Sequence, residues 1–156
     1  MTHEEFMKLG IDKARETMKQ NIGGPFGATI VKDGEVIAVS SNRVLADNDP
    51  TAHAEIVAIR EACKRLGTYD LTGCELYASG YPCPMCLSAI IWANIKTVYV
   101  CGLPVDAEKI GFRDDYIYRF IKNENTDENV LEIKELDRKP VQDLYSEYEM
   151  MNKVIY

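Results

Sequence analysis

Apolar side chains recur every three to four residues in the first stretch of the chain. Met7, Ile11, Ala14 and Met18 fall at i, i+4, i+7 and i+11, the spacing of one helix face. This predicts a helix over 3–20, stopped by Asn21-Ile22-Gly23-Gly24-Pro25. The pattern then changes. Phe26–Val31 and Glu35–Ser40 are β-rich runs on either side of Lys32-Asp33-Gly34, a hairpin signal. A second helix is expected from about Asp49-Pro50-Thr51, with Asp49 or Thr51 as N-cap. Its apolar stripe is Ile56, Ile59, Cys63 and Leu66, and Gly67 ends it. Cys74–Ser79 reads as a short strand, and Pro84 opens a third helix through Ile90, Ile91 and Trp92. Thr97–Cys101 is apolar enough to be a central strand.

Helices alternating with strands imply parallel strands joined by crossover helices, here after an antiparallel hairpin. The sheet is therefore expected to be mixed. Beyond it, 106–121 reads as helical, Lys122–Asn129 as a polar, mobile hinge, Leu131–Leu136 as a fifth strand and 141–152 as a last helix. The expectation is one α/β domain over 1–156. Lys153-Val154-Ile155-Tyr156 is too apolar for a free tail. A hinge before such a segment suggests a homodimer in which the C-terminal part crosses to a second subunit and Tyr156 closes its pocket.

Composition narrows the partners. The 156 residues are 46% hydrophobic and 28% charged, enough to build a core without staples. A net charge of −7 with no Lys/Arg cluster disfavours a nucleic-acid backbone, which is gripped through a basic face. A small uncharged substrate fits better. No run approaches the ~20 apolar residues of a membrane span. Met1-Thr2-His3-Glu4-Glu5 lacks the basic and apolar regions of a leader, so the cytoplasm is the expected location. Five cysteines is an odd count, with two in a tight C-x-x-C; in a reducing compartment that reads as metal or redox chemistry.

The chemistry concentrates in Thr51-Ala52-His53-Ala54-Glu55 and Pro82-Cys83-Pro84-Met85-Cys86. His53, Cys83 and Cys86 are three candidate zinc ligands, and Glu55 is a carboxylate that need not be one. The H-x-E…P-C-x-x-C arrangement is that of zinc base deaminases. Three protein ligands leave a position where water can bind and be activated. Both halves of the site, His53 and the Cys83/Cys86 pair, lie at helix N-termini, whose partial positive charge favours thiolates. Glu55, within a turn of His53, can take a proton from that water. Cys83 and Cys86 alone could equally be a redox dithiol. Cys63, Cys74 and Cys101 read as buried small apolar residues, and His3 as a terminal residue without a role.

On these motifs the chain resembles the cytidine-deaminase-like superfamily of zinc-dependent base deaminases, over nearly its whole length. The resemblance implies a three-layer α/β/α sandwich around a five-stranded mixed sheet. It is most similar to the bacterial guanine deaminase branch, which implies one zinc ion per subunit and hydrolysis of guanine to xanthine and ammonia. Gly24-Pro25-Phe26-Gly27-Ala28 and Ser41-Asn42 occupy the family's substrate-pocket positions, as does Ala54 beside His53. There Phe26 offers an aromatic face, and Asn42 can donate and accept on the base edge. Read without the resemblance, Phe26 could be strand core and Asn42 a turn residue. tRNA adenosine deaminases share much of the pattern, including a stretch like Asp106-Ala107-Glu108-Lys109-Ile110-Gly111. The chain departs from them at Tyr81 and at Phe112-Arg113-Asp114. Asp114 is a candidate second proton carrier, or else a helix-surface carboxylate. Another base deaminase, or a zinc- or redox-sensing module, are the alternatives.

Overall fold

The computed structural model describes residues 1–156. Helix α1, His3–Lys19, begins with a capping box. Thr2 accepts from the Glu5 backbone N–H, and the Glu5 carboxylate accepts in return from Thr2. Strands β1, Gly27–Lys32, and β2, Glu35–Ser41, form the expected hairpin, turning through Asp33 and Gly34 at positive φ. A short helix α2, Val44–Asp47, leads to α3, Ala54–Leu66, which Gly67 ends in the left-handed conformation. Strand β3, Cys74–Gly80, runs into α4, Pro84–Trp92, and β4, Thr97–Gly102, follows. Helices α5, Pro104–Lys109, α6, Asp115–Lys122, and α7, Lys139–Met150, complete the chain.

The sheet is mixed and ordered β2-β1-β3-β4, antiparallel at β1/β2 and β1/β3 and parallel at β3/β4. Side chains alternate between its faces. Ala28, Ile30, Leu76 and Ala78 join Ala54, Ala58 and Ala62 of α3 in the main core. Val31 and Tyr77 point the other way, onto Phe6 and Met7 of α1. Gly27 allows α1 to approach closely, since a Cβ there would stand 1.9 Å from the Gly10 carbonyl oxygen. Helices thus cover both faces, the arrangement expected of this α/β fold.

Several expectations are corrected. The sheet has four strands, because Leu131–Leu136 adds none. Leu131, Ile133 and Leu136 are exposed, and an alternating segment becomes a strand only where an edge pairs its N–H and C=O groups. Strand β4 lies at an edge, with Val100 and Cys101 exposed. Cys74 is buried as expected. The face of α3 that meets the sheet is Ala54, Ala58 and Ala62, and Ile59, Cys63 and Leu66 are only partly buried. The 106–121 stretch is two helices broken at Gly111, whose φ is +102. Asp49 caps no helix. Its carboxylate accepts from the Thr51 N–H and hydroxyl in a local turn.

Met1–Tyr118 and Arg119–Tyr156 form two compact units. The second consists of the end of α6, an irregular stretch and α7, with Met150, Ile155 and Tyr156 strongly exposed. No helix is long and apolar enough to cross a membrane.

Candidate active site

Two chain crossovers build the site. His53 is the N-cap of α3 and Cys83 the N-cap of α4, each extended at the helix start; Pro84 then fixes N1 and Cys86 falls at N3. His53 Nδ1 lies 3.5 Å from Cys83 Sγ and 3.6 Å from Cys86 Sγ. All three donor atoms fall within 4.8 Å of one another. Bonds of about 2.05 Å to nitrogen and about 2.3 Å to sulfur give a tetrahedral zinc an N···S edge of roughly 3.6 Å. The two histidine–cysteine distances match that edge, and the trio's soft thiol and imidazole donors suit zinc.

The two thiols interact directly. Hydrogen bonding from the Cys86 thiol, and then from His53, brings Cys83 down to about 4 against the opposing effect of burial. The Cys86 proton is held correspondingly tightly. His53 is raised, chiefly by its hydrogen bond to Cys83. A thiolate beside a second ligand is thus ready for a cation.

Glu55 is 6% exposed. Burial drives its carboxyl above the usual range, and the Cys86 thiol that donates to it acts the other way. It lines a cavity of about 600 Å³ together with His53, Cys83, Phe26, Asn42 and Asp114. Four of the sequence-predicted residues, Glu55, Phe26, Asn42 and Asp114, therefore share one depression with the ligands His53 and Cys83. Asp114 stands where α5 and α6 part, and its backbone carbonyl accepts from Ile117 and Tyr118 to start α6. Burial, and then the charge of Cys83, raise its pKa. It faces the cavity and not bulk solvent alone. Tyr118 donates to the Pro82 carbonyl at 3.1 Å, fastening the start of α6 to the cysteine loop.

Phe26 meets Phe112 edge to face, with centroids 5.0 Å apart and planes at 89°. Gly24 leaves room for the Phe26 ring, from which a Cβ there would stand 3.2 Å. Asn42 is 6% exposed, and its Oδ1 accepts from the N–H groups of Gly24 (3.3 Å) and Val44 (3.0 Å). The Ala54 side chain is wholly buried in the core. As the first helical residue, what it can offer a ligand is its backbone N–H. Tyr156 is exposed at the end of the second unit.

Two features were not read from the sequence. The hydroxyl of Tyr118 and the ring of Phe112 position the site through partners some 36 and 86 residues away, Pro82 and Phe26, and neither carries a local signal. His3 also has partners. Its ring stacks on Tyr99 at 4.5 Å, and its Nδ1 lies 2.7 Å from the Tyr77 hydroxyl.

Comparison with known proteins agrees with this geometry. Residues 1–102 match the family described as the cytidine and deoxycytidylate deaminase zinc-binding region. A guanine deaminase of Bacillus subtilis is 54% identical over 121 residues, 78% of each chain. A crystal structure of guanine deaminase from Bacillus subtilis superposes with a TM-score of 0.90, covering 100% of this chain and 99% of that one. A tRNA-specific adenosine deaminase of Aquifex aeolicus is 44% identical over 103 residues, 66% of this chain and 68% of its own. With the His53, Cys83 and Cys86 trio in a zinc-fitting arrangement and the family's zinc-binding region matched across it, the chain belongs to the zinc-binding cytidine and deoxycytidylate deaminase family.

Proposed function

We propose that this chain hydrolyses guanine to xanthine and ammonia. The observation that carries the reading is the cavity itself. It sets an aromatic pair, Phe26 and Phe112, and the side chain of Asn42 around the ligand trio, with two carboxyls whose pKa values are both raised. Its similarity to the Bacillus subtilis guanine deaminase supports the choice of base.

Zinc held by His53, Cys83 and Cys86 would supply the Lewis acidity that makes a water nucleophilic near neutral pH. Glu55 accepts a proton from the attacking water and delivers it to N3 as oxygen bonds to C2. The C2–N bond then breaks, and the exocyclic nitrogen leaves as ammonia after protonation by Glu55 or Asp114. Phe26 and Phe112 hold the ring plane. Burial raises both carboxyls above their ordinary range, as suits groups that exchange protons.

The unit Arg119–Tyr156 supports a second part of the reading, a homodimer. Leu136 is 89% exposed and Ile155 85%. In the first unit Trp92 is 74% exposed and β4 is an unpaired edge. Such surfaces ask for a partner. With 122–129 as hinge, the C-terminal segment passes to a second copy and Tyr156 closes its pocket. The five free cysteines fit a cytoplasmic setting. The deciding experiment is turnover of the zinc-loaded protein on guanine, adenine, cytosine and cytidine, read as xanthine absorbance and ammonia. No release from any free base, with salt-sensitive binding of tRNA, would replace this reading with a tRNA deaminase. Light scattering over a dilution series tests the dimer, and a monomer throughout refutes it.

A further inference from the structure

Tyr118 holds two backbone carbonyls that belong to different parts of the site. Its hydroxyl donates to the Pro82 carbonyl at 3.1 Å, and its own N–H donates to the Asp114 carbonyl at 3.3 Å. Pro82 precedes the ligand Cys83, and Asp114 lines the cavity. Burial, and then the charge of Asp114, push the Tyr118 phenol up to about 12, so it stays a donor throughout the neutral range. The two ends of this brace differ in stiffness. Pro82 is fully buried and leads into α4, where Leu87 donates to the Cys83 carbonyl at 2.9 Å. The Asp114 end stands on less. No side chain in 115–118 is buried, and Gly111, with φ at +102, breaks the helical run just before it. The salt bridges of Arg113 to Glu108 and Asp115 join exposed side chains and hold little. Phe120, the buried residue of α6, lies beyond Tyr118, in the second unit.

We infer that Tyr118 is a positioning residue whose bond to Pro82 keeps the Asp114 carboxyl in register with the cysteine loop, where it protonates the departing amine. The inference rests on the proposed hydrolysis of guanine and adds what places its second proton carrier. In that step Asp114 gives its proton to the exocyclic nitrogen, and the C2–N bond breaks with its electron pair on nitrogen. The hydroxyl on C2 closes to a carbonyl as its proton passes to Glu55. Tyr118 is not among the walls of the cavity, so it acts through Asp114 and not on the base. The leverage is large, because a displacement of about 1 Å can cost such a step 10²-fold.

Tyr118→Phe keeps the ring and removes the hydroxyl. Kinetics on guanine and zinc content are measured for the wild type, Tyr118→Phe, Asp114→Asn and the double variant. Tyr118→Phe should keep its zinc and its KM while kcat falls about tenfold, inside the range that misplacement allows. Asp114→Asn should lower kcat in the wild type and lower it far less once Tyr118→Phe is present, because both changes remove the same transfer. A structural role alone would make the two losses multiply, and that outcome overturns the inference. Wild-type kcat in Asp114→Asn also overturns it, as does loss of zinc from Tyr118→Phe, which would put the effect of the bond at Cys83. No turnover of guanine by the wild type refutes the guanine reading alone. Hydrogen exchange of the Ile117 and Tyr118 amides, which donate to the Asp114 carbonyl, then decides the brace on zinc-loaded protein: faster exchange in Tyr118→Phe supports it, and unchanged exchange overturns it.

Discussion

Glu55→Gln exchanges one carboxylate oxygen for an amide nitrogen at almost constant volume. The side chain is 6% exposed, so its space stays filled and no cavity opens. The three ligand side chains are unchanged, and the substitution removes a buried carboxyl that burial already disfavours in its charged form. Zinc content should therefore remain at one per chain and thermal stability should hold. Proton transfer is what is lost. A positioned acid–base group contributes about 10²–10⁴-fold, a barrier increase of roughly 3–5 kcal/mol. In the proposed mechanism Glu55 serves the transfer to N3 and shares the second one with Asp114, which puts the expected loss at the upper end. Xanthine formation is followed by absorbance, with zinc measured by elemental analysis on the same sample. Turnover within about tenfold of wild type at equal zinc content would refute the role of Glu55. Loss of zinc together with activity would show that Glu55 is a ligand.

Cys83→Ala should lose zinc and turnover together while the far-ultraviolet circular dichroism persists, because the ion joins two N-caps and the core lies elsewhere; retained stoichiometric zinc would refute it. Gly27→Ala should force α1 away from β1, since the new Cβ would meet the Gly10 oxygen at 1.9 Å. A cost of about 1–3 kcal/mol or more lowers Tm by roughly 2–4 °C for each kcal/mol in a chain of this size, and calorimetry reads it. Tyr77 gives an alkaline signature. Burial, and then its bond to Glu75, push the phenol up to about 12 from an ordinary 10.0, so its contribution is complete below pH 10 and is lost as pH rises toward 12. Denaturant titrations should show that decline, with Tyr77→Phe flattening it; an unchanged slope refutes the assignment.

The metal trio was legible because its spacing is chemical: a histidine and a cysteine pair, each at a predicted helix start, can be read without knowing the tertiary structure. What surrounds it was less legible. The buried face of α3 consists of Ala54, Ala58 and Ala62, small residues that let a helix sit close to a sheet. Ile56 and Ile59 dominate any count of hydrophobic weight, yet they lie to the side. Periodicity reports burial and not the partner that supplies it, which is why β4 reads as central and Leu131–Leu136 as a strand. The break at Gly111 was hidden because a glycine costs a helix only about 1 kcal/mol, less than a tertiary contact supplies. His3 found a role through Tyr77, 74 residues away. No local signal could carry that.

Charge explains why this geometry suits a free base better than a nucleotide. With zinc held by two thiolates the formal charges of ion and sulfurs cancel. The N-termini of α3 and α4 each add roughly half a positive charge. Glu55 and Asp114 offset this, wholly or in part according to their protonation, which burial favours in both. The guanidinium that lines the cavity, Arg113, is 3.3 Å from both Asp115 and Glu108, so its charge is already shared between two carboxylates. Arg43, beside Asn42 in the chain, is committed to Asp47 at 3.0 Å. A phosphate entering this cavity would find two carboxyls and no uncommitted cation. A neutral purine finds two aromatic rings, the side chain of Asn42 and two carboxyls, and needs no counter-charge to bind.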